Sequence, residues 1–204
     1  MMLHFFLKGG PVMWPILILS VVTVAVLLER IFFLIQQRSR RDQAAVRRIF
    51  ELVEHDKYDE AIKLGSESRD MLARTLASGL EHRDTSLSEA LVEGASAELD
   101  HYNRGLVMLD TAVTLGPLLG LLGTVSGMMR AFGLLGDEDI AGKTAAITGG
   151  ISESLIAVAF GLAVAIIAII PLNYLHARME RSRRLLEMTT SRLELLMTKK
   201  RNAQ

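Results

Sequence analysis

Hydroxyl and carboxyl side chains lie inside long apolar stretches of this sequence, where they could take part in ion passage. Thr124 follows a glycine in one stretch, and Glu153 stands between two serines at the start of another. An ionisable residue within a membrane span is costly unless it meets water, a partner or a proton. These residue types therefore predict a path for an ion or a proton, with Thr114 and Ser154 as further candidate members.

Thr124 and Glu153 also have structural interpretations. In lipid, the Thr124 hydroxyl can bond the carbonyl four residues earlier, at Gly120, without contacting any ion. Glu153 can lie at the membrane interface near a helix N-terminus, where the helix dipole favours a carboxylate. Arg130 follows the second apolar stretch and can contact lipid headgroups, Glu153 or Asp137. The residues alone leave these alternatives open.

Three apolar stretches must position these side chains. They lie within residues 12–28, 111–129 and 154–172, and none of the three contains a charged residue. A bilayer core about 30 Å thick requires roughly 20 helical residues, which each stretch supplies once its flanks are included. Basic residues soon after the first stretch predict that it stays in the membrane and is not removed as a signal peptide. The chain is therefore predicted to be an all-α membrane protein with three transmembrane helices.

The charged residues predict the orientation of these helices. Arginines cluster after the first and third stretches, whereas the connection between the second and third is acidic, with Lys143 as its only basic residue. By the positive-inside rule, the arginine clusters are cytoplasmic, and the acidic loop and the N-terminus are periplasmic. The predicted transmembrane segments are residues 1–36, which include the periplasmic N-terminus, residues 109–133 and residues 149–172. Residues 37–108 are predicted to form a cytoplasmic helical segment, residues 134–148 a periplasmic loop and residues 173–204 a cytoplasmic C-terminal helix.

The segment before the second stretch and the tail after the third both show helical spacing of apolar residues. Between residues 86 and 129 only glycines and Pro117 weaken a helix, so one long helix is predicted to run from the cytoplasm into the membrane. After residue 173, leucines and methionines recur among charges, which predicts an amphipathic extension of the third helix. Two transmembrane helices are therefore expected to extend into a cytoplasmic helical bundle.

Small residues form a stripe on each of the second and third helices. They recur at helical spacing, so they share one face and let another backbone approach closely. Pro117 removes one backbone hydrogen bond and is predicted to kink its helix near Thr114. The residues assigned to helix packing and to the kink are Gly116, Pro117, Gly120, Gly123, Gly127 and Gly161.

The composition argues against several other functions. The 204 residues include no cysteine, which excludes disulfides and thiolate metal sites. The five histidines are scattered without metal-ligand spacing, and the sequence shows neither a phosphate-binding glycine loop nor a nucleophile setting. A formal net charge of zero gives no support to nucleic-acid binding. We therefore expect no enzyme activity, no metal and no cofactor.

Two segments resemble the signatures of a known family. The second-span signature of the ExbB/TolQ/MotA proton-channel family resembles residues 116–132, GPLLGLLGTVSGMMRAF. Residues 150–162, GISESLIAVAFGL, are similar to the third-span signature of that family. Residues 28–30, LER, resemble the end of its first span. Three spans and a short chain resemble the ExbB/TolQ branch, since flagellar stators carry a fourth span.

The resemblance implies a homopentamer around a dimer of single-span partners of the ExbD/TolR type. It implies that an aspartate of the partner carries protons, and that proton flow drives rotation and passes work to a TonB-like or TolA-like periplasm-spanning protein. It also implies that Thr124 is the family's pore-facing threonine and Glu153 the glutamate that begins the third span. Val158 stands where the family often has a threonine, which favours H⁺ over Na⁺ because Na⁺ needs several oxygen ligands.

The predicted function is an inner-membrane ion-channel and motor subunit that uses the proton motive force to energise outer-membrane transport or envelope processes. The alternative is a structural membrane scaffold whose small-residue helices serve only oligomerisation. That alternative predicts that Glu153→Gln is harmless and that no single-span partner is required. The residues leave open which process is energised, the ring stoichiometry and the role of Arg130.

Overall fold

A computed structural model describes residues 9–39, 41–133 and 140–202, and it is helical without a strand across these ranges. The chain divides into two compact units, the first spanning Met1–Arg30 with Gly105–Tyr174 and the second spanning Ile31–Arg104 with Leu175–Gln204. The helices are α1 Met13–Ser39, α2 Gln43–Glu54, α3 Tyr58–Glu67, α4 Met71–Glu81, α5 Leu87–Asn103, α6 Leu106–Gly133 and α7 Ile140–Arg201.

Helices α1, α6 and α7 each contain a segment long and apolar enough to cross a membrane. Their most apolar windows have mean hydropathies of 2.4, 1.7 and 2.9. Large apolar side chains project outward from them, among them Ile18, Met129 and Ile170. Such exposure suits contact with lipid or with other protein. The predicted all-α membrane protein with three transmembrane helices is confirmed.

The long helix expected between residues 86 and 129 is interrupted. α5 ends at Asn103 and α6 begins at Leu106. Between them Gly105 has φ +79°, a left-handed conformation that glycine adopts without strain. A side chain at this position would also press on Arg30, because its Cβ would lie 3.0 Å from the Arg30 Nε. Gly105 is thus a helix-stop signal of the kind found just past helix C-termini.

The expected extension of the third span is present. α7 runs without interruption for 62 residues, with Pro171 inside it. It begins at Ile140, so the part of the predicted loop from residue 140 to 148 is helical. The loop residues 134–139 lie outside the described residues.

The second unit is a helical bundle with its own apolar core. Side chains from α2, α3, α4 and α5 pack with Leu193 of α7, and Leu76 and Leu80 in this core are fully buried. Burying a leucine side chain contributes about 1.5–3 kcal/mol. The amphipathic tail of α7 is therefore part of the bundle. The cytoplasmic location of this bundle stays a prediction.

Asp70 connects the starts of two helices in this bundle. Its carboxylate accepts the N–H groups of Leu72 at the start of α4 and of Asp42 just before α2, each at 2.7 Å. Asp42 in turn caps α2 by accepting the N–H groups of Ala44 and Ala45. These bonds satisfy helix-end donors that would otherwise lack a partner.

The last turn of α7 is held to the turn between α2 and α3. Lys200 Nζ donates to Asp56 Oδ1 at 2.5 Å, and the Tyr58 hydroxyl donates to the same oxygen at 2.9 Å. The hydrogen bond from Lys200, followed by that from Tyr58, lowers the pKa of Asp56. Burial, together with the bond to Asp56, raises the pKa of Tyr58.

We expect the attachment of the α7 end to weaken in acid. Because the folded pKa of Asp56 lies below its ordinary value of 3.8, its stabilising contribution is present above that value and is lost as the pH falls through the lowered pKa. Amide hydrogen exchange at residues 196–202, corrected for intrinsic rates, should accelerate below about pH 3.8. Asp56→Asn should exchange faster already at neutral pH and lack the acid step. If exchange in Asp56→Asn still accelerates fully at low pH, other carboxylates are responsible for the acid sensitivity of the attachment.

Candidate functional site

Helices α6 and α7 pack through their small residues. The four glycines of the α6 stripe, at positions 116, 120, 123 and 127, are buried. A Cβ on Gly116 would lie 2.7 Å from the carbonyl oxygen of Gly161, and one on Gly120 would lie 3.0 Å from the Cα of Val158. The neighbours are backbone atoms, which cannot move aside as a flexible side chain would. Only glycine fits at these two positions without a shift of the helices.

The stripe continues towards the C-terminal end of α6. A Cβ on Gly123 would run into the Cβ of Ala157, and one on Gly127 would lie 2.8 Å from the carbonyl oxygen of Gly150. The two helices therefore stay close from Gly116 to Gly127, and the small residues set their register.

Ser154 lies inside this contact. Its side chain is buried, and its hydroxyl donates to the carbonyl oxygens of Gly150 at 2.8 Å and of Thr124 at 3.3 Å. The second bond joins α7 to the backbone of α6. The hydroxyl proposed for the ion path is thus engaged with backbone within the subunit.

Thr124 and Thr114 lie away from the glycine stripe. Thr124 is half-buried, and its hydroxyl donates to the carbonyl of Leu121 at 2.6 Å, not to that of Gly120. Thr114 is exposed and donates to the carbonyl of Asp110 at 2.9 Å. Both hydroxyls bond back to their own helix, as threonines in transmembrane helices commonly do.

One side of α6, away from its buried glycines, carries polar groups. Asp110, Pro117 and Thr124 are spaced by seven residues, about two helical turns, so they share a face. Thr114 lies one turn from Asp110 on the same side. We call Asp110, Thr114 and Thr124 the polar stripe. Asp110 was missed in the sequence analysis, although a carboxylate directly before the uncharged stretch was a usable signal.

Pro117 lies inside α6 without ending it. The helix continues to Gly133, and Pro117 is half-buried. The hydroxyl of Thr114, beside which a kink was predicted, donates to the carbonyl oxygen of Asp110.

Arg130 forms an ion pair with Glu153. Its Nη2 donates to Glu153 Oε1 and, at 3.2 Å, to the hydroxyl of Ser126 one turn earlier on α6. The Glu153 side chain is 17% exposed and that of Arg130 is 45% exposed. Of the partners considered for Arg130, Glu153 is in contact with it, and Asp137 lies outside the described residues.

The chain just before α1 covers this ion pair. Gly10 has φ +72°, and a Cβ there would lie 2.6 Å from the Glu153 Cδ and 2.8 Å from the Arg130 Nη2. Met13 and Ile16 at the start of α1 are buried in an apolar cluster with residues of α7. The Gly-Gly-Pro segment at residues 9–11 was a usable sequence signal for this approach.

The described ranges hold carboxylates and histidines, but not grouped as metal ligands. They contain no group of three or more His, Cys, Asp or Glu side chains that could hold a metal ion. The carboxylate of Glu153 is instead engaged by a guanidinium.

Comparison with known proteins places this geometry in context. Residues 67–188, which include Thr124 and Glu153, match the MotA/TolQ/ExbB proton channel family. The biopolymer transport protein ExbB-like 3 of Synechocystis is 31% identical over 194 residues, which cover 93% of this chain and 92% of the relative. The biopolymer transport protein exbB1 of Vibrio cholerae is 29% identical over 197 residues, covering 91% and 84%. The Tol-Pal system protein TolQ of Pseudomonas aeruginosa is 37% identical over 94 residues, covering 46% and 40%.

Proposed function

Because the chain belongs to the MotA/TolQ/ExbB proton channel family, we propose that it forms the ring of an inner-membrane ion channel and motor. The ring is a homopentamer that encloses a single-span partner of the ExbD/TolR type and uses the proton motive force. Through a TonB-like or TolA-like periplasm-spanning protein it energises outer-membrane transport or an envelope process. The N-terminus is periplasmic and the C-terminal part of α7 is cytoplasmic, in agreement with the positive-inside rule.

The polar stripe of α6 is the observation that carries this proposal. The contact with α7 uses the glycine face of α6, and it leaves Asp110 and Thr114 exposed and Thr124 half-buried. A helix surrounded only by lipid and its own subunit would place apolar side chains there, because a charge in a span is costly. In the proposed ring this side of α6 faces the lumen.

The proposed pathway begins at Glu153 of α7 and continues along the polar stripe of α6. Glu153 stands at the periplasmic end, Thr124 lies deeper in the span, and Thr114 and Asp110 lie towards the cytoplasm. At 1.5 Å per residue, Asp110 and Thr124 are about 21 Å apart along the helix. Ser154 contributes by joining α7 to α6, which holds the adjacent Glu153 in place.

The scaffold alternative requires neither an ion pathway nor a partner protein. A scaffold would use small-residue faces for oligomerisation, whereas the glycine face of α6 packs against α7 of the same chain. A scaffold also has no use for a carboxylate or hydroxyls on an exposed side of a span. It therefore predicts that substitutions in the polar stripe are harmless and that the chain assembles and works without a second protein.

Reconstitution with a partner tests the proposal. The full chain is co-expressed with a single-span protein that carries an aspartate in its span and a periplasmic domain, and the complex is counted by native mass spectrometry. We expect five copies of this chain and, in proteoliposomes, proton uptake that requires the partner. The scaffold alternative predicts an oligomer that binds no such partner and passes no protons. It also predicts that Glu153→Gln leaves the cell envelope unaffected, and these results together would establish that alternative.

A further inference from the structure

We infer that Arg130 acts as a tethered cation, which fills an oxygen-lined site beside Glu153 and thereby denies that site to alkali cations. The inference concerns ion selectivity and rests on the proposed function for its effect on transport. The occupancy of the site can be tested on the purified chain, without any transport measurement.

Oxygen atoms of three chemical types surround the guanidinium. Its Nη2 contacts the Glu153 carboxylate and, at 3.2 Å, the Ser126 hydroxyl, while its Nε lies 3.4 Å from the Ser126 carbonyl oxygen. Carboxylate, hydroxyl and carbonyl oxygens are also the donors that hard cations take in proteins. A guanidinium has five N–H donors and no acceptor, so it can satisfy such oxygens as a metal ion would.

The site is enclosed on the side of α1. The backbone of Gly10 approaches both charged side chains so closely that a Cβ there would overlap Glu153 and lie 2.8 Å from Arg130 Nη2. The Glu153 side chain is only 17% exposed to solvent. A carboxylate this far removed from water needs a positive partner, and deleting that partner leaves an uncompensated charge.

The backbone that carries these oxygens is held in place by contacts that do not involve Arg130. Glu153 stands next to Ser154, whose hydroxyl joins α7 to the Thr124 carbonyl of α6. Gly127 packs against the Gly150 carbonyl one turn before Ser154, so the two helices are already in close contact here. Removing the guanidinium should therefore leave the surrounding backbone in place and open the site to another cation.

Selectivity follows from this occupancy. In the wild type an alkali cation would have to displace a charge that is part of the chain and is present at high effective concentration. A proton needs only one basic atom or a water molecule, so an occupied site does not exclude proton transfer along the polar stripe. Arg130 thus complements the loss of a hydroxyl at Val158 in making the chain a poor Na⁺ carrier.

Thermal unfolding of the purified full-length chain in NaCl, KCl and choline chloride at equal ionic strength tests the inference. The wild type should show the same Tm in all three salts. Arg130→Ala should gain a saturable rise in Tm with Na⁺, roughly 3–5 °C at a concentration about ten times the Kd. The rise should vanish in the double variant Arg130→Ala/Glu153→Gln.

Two further variants control for charge and for structure. Arg130→Lys should behave as the wild type, because an ammonium group refills the site. Arg184→Ala removes an exposed arginine in the distal part of α7 and should create no response to Na⁺.

Several results would overturn the inference. A folded Arg130→Ala with equal Tm values in the three salts would refute the site. A Na⁺ response of the wild type that disappears in Glu153→Gln would show that the site is already open. Failure of Arg130→Ala to fold in NaCl would also contradict it, since Na⁺ should replace the lost charge. The Na⁺ response of Arg130→Ala, combined with absence of proton flux through the wild-type complex, would uphold the site and refute the proposed function.

Discussion

Gly161→Ala should separate α6 from α7 and destabilise the chain by about 2–3 kcal/mol. The added methyl group would press on the carbonyl oxygen of Gly116 and lie 3.1 Å from the backbone nitrogen and Cα of Gly120. These are backbone atoms of the facing helix, so relief requires a movement of the whole helix. Thermal unfolding of the detergent-purified oligomer, together with its yield in size-exclusion chromatography, measures the effect.

The same helix provides a matched control at Gly149. A Cβ there would have no heavy atom within 4 Å, and alanine is a better helix former than glycine by up to about 1 kcal/mol. Gly149→Ala should therefore leave the Tm unchanged or raise it. Equal stabilities of Gly149→Ala and Gly161→Ala would show that the small residues are not what brings the helices together.

Thr124→Val should lower proton flux through the complex about tenfold while the oligomer assembles as before. Valine has nearly the volume of threonine, so packing is preserved and only the hydroxyl is lost. A hydrogen bond to a transported proton or its water contributes about 1–1.5 kcal/mol, which corresponds to roughly a tenfold change in rate. Proton uptake by proteoliposomes that contain the chain and its partner is the measurement.

Thr111→Val is the matched control for this experiment. Thr111 lies on the same helix, is exposed, and bonds back to the carbonyl of Val107 at 2.7 Å, so it shares the chemistry of Thr124 but not its place in the polar stripe. We expect normal flux in Thr111→Val. If Thr124→Val also conducts normally, Thr124 has no part in the pathway.

The number and type of the long helices could be predicted from the amino-acid sequence because a bilayer imposes a length and a polarity on any segment that crosses it. The same holds for the tail of α7, whose leucines repeat at helical spacing and whose Leu193 is fully buried in the bundle. The spacing of apolar residues is a local property of the chain, so it can be recognised without knowing which helices pack nearby. The helix break at Gly105 was missed because a glycine that stops a helix and one that permits close packing look alike in a sequence.

The residue types of the candidate site were also evident in the sequence, but their partners were not. Arg130 and Glu153 are separated by 23 positions, and lipid headgroups or Asp137 were equally suitable partners for the guanidinium. Ser154 could have faced a cavity, yet its hydroxyl bonds the backbone of α6. These outcomes depend on the register between α6 and α7, which several glycine contacts set together. The sequence by itself therefore determined the spans and the chemistry available in them, and only the packing of one helix against another decided which groups meet, because register is a property of the pair.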